Sequence, residues 1–273
     1  MDENTRRSIR RKAENFRENC RNNKYGIMDI FEECNRSGYR LLRYPIEGES
    51  ALGFALKRDG DYIIFTNSAV RLSREIFTLA HEIGHVILHL NSGRAFIDNK
   101  QTLDDSENNE EEQEANYFAA CLLMPEESVR KFFDIELNNM RADELAACDI
   151  AKLMSEFSMS FEAVLNSLED FGIINSLQKA RLNSEKNKNR VGNLLKVIGG
   201  NRRLNEVSND RNLPYQYLDY VIFNYNHNAV PRETLEKVLG VYQLTIEDVS
   251  DKLTVPKETG EFNLDELIGG IDD

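Results

Sequence analysis

The sequence predicts an α+β fold: a small sheet beside one metal-binding helix, followed by a mainly helical region. Three observations carry this. Apolar residues recur at helical spacing around His81-Glu82-Ile83-Gly84-His85, two short apolar runs between 51 and 67 flank a glycine-containing turn, and apolar stripes of helical period return after residue 110.

Residues 5–37 read as two helices, because Ile9, Ala13 and Phe16, then Ile27, Ile30 and Phe31, recur at helical spacing with charges between them. The basic cluster Arg6, Arg7, Arg10, Arg11 and Lys12 fits a solvated helix face better than a phosphate site. The runs 51–57 and 62–67 lie on either side of Arg58-Asp59-Gly60-Asp61, the sequence form of a hairpin with glycine in its turn. A small sheet is therefore expected ahead of the metal helix.

In that helix Ile76, Ala80, Ile83, Ile87 and Leu90 form an apolar stripe. His81 and His85 stand four residues apart on another face, where both imidazoles reach one cation, and Glu82 stands beside the open coordination position. This is the arrangement of a zinc hydrolase. A chance match on an amphipathic helix is the competing explanation, but His81, His85 and His89 are three of only four histidines in the chain, and that concentration favours a metal site.

The polar stretch 91–109 leads into Glu110-Glu111-Glu112-Gln113-Glu114. Ala115, Phe118, Ala119, Leu122 and Leu123 follow at helical spacing and Pro125 ends the run, so the carboxylates occupy the first turns of a second helix. A tetrahedral site with two histidines needs a third protein ligand. Four carboxylates compete, and Glu112 is preferred because Asn116, one turn further on, could hydrogen-bond a ligating side chain and fix its orientation. Glu114 is the alternative. His89 continues the same helix past the two ligands and departs from the HExxHxxGxxH spacing, so it is expected beside the site or in the core. Tyr117 and His227 are candidates for stabilising an oxyanion on chemical type alone.

With 34 Lys and Arg against 47 Asp and Glu, the net charge of -13 disfavours general attraction to phosphate backbones. The four cysteines form no CxxC pair and suit reduced thiols in a cytoplasmic protein. A polar N-terminus and the lack of any long apolar run lead us to expect neither signal peptide nor membrane span.

Residues 149–168 have the outline of a helix-turn-helix, with Ser160 as N-cap. Its second helix carries Glu162, Glu169 and Asp170 with one asparagine and no basic residue, so direct DNA binding is not expected. The Lys/Arg-rich stretch 179–203 reads as a helix leading to a linker at Gly199-Gly200. Residues 231–253 read as two helices around a turn, the second opened by Thr245 and Asp248 as a capping box, and 261–273 is an acidic tail.

The run 74–89 followed by 112–125 resembles the ImmA/IrrE family of zinc metallopeptidases, over roughly residues 25–175. The resemblance implies a zincin-like fold with helical additions, Zn2+ held by His81, His85 and Glu112, and Glu82 as the catalytic carboxylate. It also implies a protein substrate, since such proteins characteristically cleave a helix-turn-helix transcriptional repressor, often encoded beside them on a mobile element or stress operon. The expected organisation is a zincin-like metallopeptidase domain at 1–140, a helix-turn-helix-like extension at 141–185 and a C-terminal helical module with its acidic tail at 186–273. The competing reading is a non-catalytic anti-repressor, or a toxin-antitoxin component, that binds protein and keeps a structural zinc. Glu82 favours the enzyme, because a structural site needs no carboxylate beside an open ligand position. Nothing in the sequence sets the oligomeric state.

Overall fold

The structure is a computed structural model that describes residues 1–47, 52–58, 60–90, 95–98 (backbone only) and 109–254. Asp59 of the expected turn, most of the polar stretch 91–109 and the acidic tail lie outside the described residues. The chain forms two compact units, Met1–Asn212 and Leu213–Asp273.

In the first unit α1 (Glu3–Glu18) is capped by Asp2, whose side chain accepts from Thr5 N, and α2 (Ile30–Arg36) by Asp29. Then come β1 (Arg40–Tyr44), β2 (Gly53–Arg58), β3 (Asp61–Asn67), the metal helix α3 (Leu72–Leu88) and β4 (Ala95–Asp98). The four strands lie in the order β1-β3-β2-β4, with β1 parallel to β3 and the other pairs antiparallel. The expected hairpin is β2–β3, and Gly60 takes the left-handed conformation its turn requires, φ 91°. β1 has no counterpart in the sequence reading. Its partner lies some twenty residues on, with Leu42 opposite Phe65, and a parallel neighbour reached by a long connection leaves no turn signal beside it.

Helix α3 is buried on almost every side rather than along one stripe. Twelve of its residues are buried, among them the polar Ser73, Glu75, Thr78, His81, Glu82 and His85. Each buried polar group therefore needs a partner. Glu75, fully buried, receives Arg43 Nε at 2.8 Å and Nη2 at 2.9 Å, together with the hydroxyls of Thr66 at 3.1 Å and Ser208 at 2.9 Å. The start of α3 has no side-chain cap, but Leu72 N donates to Glu206 O at 2.9 Å. Segment 206–212 thus laces α3 to the sheet, since Asn212 and Arg43 also exchange backbone hydrogen bonds of 2.7 and 2.9 Å.

Helices α4 (Glu110–Leu123) and α5 (Glu126–Glu136) follow, with Asn109 capping the first and Pro125 separating the two. The helix-turn-helix outline is present as α6 (Ala147–Phe157) and α7 (Phe161–Asp170), and Ser160 Oγ accepts from Ala163 N at 3.1 Å. Ile150, Leu153, Phe157, Val164, Leu165 and Leu168 belong to the same hydrophobic core as α3 and α4. No boundary falls at 140. The stretch after 176 is two helices, α8 (Ser176–Asn189) and α9 (Val191–Val197), broken at Arg190 with φ 54°. Leu182, Leu194, Leu195 and Leu204 extend the core, so the division falls between Asn212 and Leu213 rather than at 186. Lysine and arginine near 190 give that stretch the composition of a linker, but its leucines anchor it.

The second unit holds α10 (Tyr215–Asn226), α11 (Arg232–Val241) and a 3-10 turn at Glu247–Lys252 around a small core of Leu218, Val221, Ile222, Leu235, Val238, Leu239 and Val249. The last element is 3-10 rather than the expected α-helix. Its box is one-sided: Asp248 Oδ2 accepts from both Thr245 N and Thr245 Oγ1, and no side-chain cap closes the other half.

Candidate metal centre

Helices α3 and α4 build the site by packing against each other. Gly84 allows the close approach, since a Cβ there would lie 3.2 Å from Ala115 Cα and 3.3 Å from Ala115 O. That contact sits between the two histidines on one helix and Glu112 on the other.

His81, Glu82 and His85 are fully buried and Glu112 nearly so. The Nε2 atoms of His81 and His85 are 2.9 Å apart, and they lie 3.2 and 3.3 Å from Glu112 Oε2 and Oε1 respectively. Donors held about 2.0–2.1 Å from a tetrahedral zinc ion would be about 3.3 Å from one another, so the spacing fits a common cation. These three are the group among the described residues able to hold a metal ion.

Asn116 completes the arrangement. Its Oδ1 only accepts, so at 2.9 Å it must receive the Nδ1–H of His81, which leaves the His81 Nε2 lone pair directed at the triangle. Burial alone would push the Glu112 carboxyl up, but the His81 and His85 rings facing it outweigh burial and hold the group at about 2. Glu112 is therefore an anion throughout the neutral range, as a ligand must be.

Glu114 does not join the triangle and lies 3.8 Å from His89, whose Nε2 is 3.2 Å from the carbonyl of Glu111. Burial and the neighbouring Glu110 and Glu111 raise the Glu114 pKa. His89 thus ties the end of α3 to the start of α4. Of the two oxyanion candidates, Tyr117 accepts from Arg10 Nη2 at 3.0 Å under the Arg6 guanidinium, and His227 Nδ1 bonds Phe223 O at 2.7 Å within the second unit. The residue that sequence reasoning passed over is Gly53, whose missing side chain leaves room beside Glu82 and which reads in sequence only as part of a strand.

A helix carrying His-Glu-x-x-His, a carboxylate ligand from a second helix and a small sheet beside them make this an α+β, zincin-like fold of metallopeptidase type. The profile of peptidase family M78, the IrrE N-terminal-like domain, matches residues 23–169, more than half of the chain, and the chain belongs to that family. No curated protein matches it. Among the described residues no helix is long and apolar enough to cross a membrane.

Proposed function

We propose that this chain is a zinc-dependent endopeptidase that cleaves a specific regulatory protein, a helix-turn-helix transcriptional repressor, and so relieves repression. The observation that carries the chemistry is the triangle of two imidazole nitrogens and one carboxylate, with Glu82 buried on the same helix, next in sequence to His81. Two nitrogen donors favour zinc over magnesium or calcium, which take oxygen ligands. Bound there, the ion would supply Lewis acidity, acidifying water and polarising the scissile carbonyl.

The residues of the chain do the rest. Glu82 accepts the proton of the attacking water and delivers it to the leaving amine. Asn116 holds the His81 ring so that its lone pair stays on the metal side. Family membership supports peptide hydrolysis, and the resemblance to anti-repressor proteases supports a repressor as substrate. The charge of -13 adds a physical reason, because a DNA-binding protein presents the basic surface that an acidic chain attracts.

The test is intact mass spectrometry of candidate helix-turn-helix repressors, those encoded near this gene first, after incubation with zinc-loaded protein, with Glu82→Gln as control. Cutting by the wild type alone is expected. Relief of repression by both proteins without cutting would replace the peptidase with a binder that displaces the repressor.

A further inference from the structure

Gly53 is the first residue of β2, paired with Thr66 of β3 on one side and Asp98 of β4 on the other. A Cβ built on it would lie 2.6 Å from Glu82 Oε1, 2.6 Å from Thr78 Cγ2 and 3.1 Å from Phe65 O. Atoms that close overlap, and something must move. The strand is held from both sides, and the next residue, Phe54, stacks on Phe65 with ring centroids 5.1 Å apart. Thr78 is buried in the body of α3. Of the three contacts only Glu82 Oε1 is the far end of a flexible side chain, so it is the carboxylate that shifts.

We propose that Gly53 is a positioning residue for Glu82: its lack of a side chain reserves the space in which the carboxylate stands. The inference rests on the reading of Glu82 as the proton carrier. Its three nearest neighbours include none of His81, His85 and Glu112, so filling the space separates proton transfer from metal binding. The backbone of Gly53 is not in the left-handed region, so alanine meets no conformational penalty there and acts through its methyl group alone.

The experiment uses the full chain with Gly53→Ala, Glu82→Gln and the double variant. Zinc affinity is read by competition with a chromophoric chelator, and the ligand field by the visible spectrum of the cobalt-loaded protein. Turnover is read on a peptide that the wild type cuts, taken from a fluorogenic library. Gly53→Ala is expected to keep zinc affinity within about threefold, to lose about 100-fold or more in kcat with KM little changed, and to shift the cobalt spectrum toward that of Glu82→Gln. On the Glu82→Gln background it should cost nothing further.

A folded Gly53→Ala with wild-type kcat and spectrum overturns the proposal. So does full restoration by Thr78→Ser, which would assign the clash to the Thr78 methyl instead. If Gly53→Ala does not fold, adding Glu82→Asp, one methylene shorter, should restore folding, and failure to do so overturns the proposal as well. A wild type that binds cobalt but cuts neither a library peptide nor the repressor contradicts the proposed function, and the cobalt spectra then decide the role of Gly53 by themselves.

Discussion

Asn116 reaches the metal group through one hydrogen bond to His81, and its removal frees the ring to turn. Asn116→Ala should lower zinc affinity about 10–100-fold, measured by chelator competition, while leaving the fold intact. Glu112 adds a pH dependence whose sign follows from its depressed pKa. In the metal-free chain it contributes stability that is complete above the ordinary value of 4.5 and is lost as pH falls toward about 2. Thermal melts should show a shallower acid loss in Glu112→Gln. Burial pushes the Cys34 thiol up to about 12 and those of Cys20 and Cys121 to about 11, so all three stay protonated at neutral pH. A thiol reagent should modify them slowly in the native protein and faster as pH rises. At this scale the sequence was legible where chemistry fixes spacing, since His81, His85 and Glu112 do come together. It was silent on Gly53, whose importance lies in what surrounds an absent side chain.

The elements differ in how far they could be foreseen. Helices α1, α2, α4, α6 and α7 follow their apolar spacing, and all but α6 open on a side-chain cap, because those signals are local. Strand β1 depends on a parallel partner and helix α10 on a core shared with α11, neither of which is written into the segment itself. For α3 the apolar stripe was correct but incomplete, since the polar residues beside it are buried too. Its anchor is the Arg43–Glu75 pair, buried and bidentate. Glu75→Ala leaves the buried Arg43 guanidinium with only the more exposed Asp210, 3.1 Å from its Nη2, and should cost about 3 kcal/mol in chemical denaturation, more than an exposed pair such as Lys131–Glu127. A loss below about 1 kcal/mol would show that segment 206–212 holds α3 without it.

For the whole molecule, the organisation departs from composition. Residues 141–212 look like appended modules in sequence, yet their leucines and phenylalanines complete the core that backs the metal helix. In α7 the acidic Glu162 and Glu169 pair with Lys186 and Lys179 of α8, so that charge serves packing within the unit. Truncation after 140 should therefore abolish soluble, metal-binding protein, whereas a chain ending at Asn212 should fold with the site intact. Because a ligand that binds only the native state stabilises it, zinc at 100 times its Kd adds about 2.7 kcal/mol, and chelation should lower the melting temperature accordingly.

Metal binding and catalysis are separated by a zinc titration paired with peptide cleavage on the same samples of wild type, Glu82→Gln and Glu112→Gln. One zinc per chain is expected in the wild type, near-equal affinity but no cleavage in Glu82→Gln, and weakened binding in Glu112→Gln. Zinc bound equally by all three, or cleavage surviving in Glu82→Gln, would contradict the proposed function.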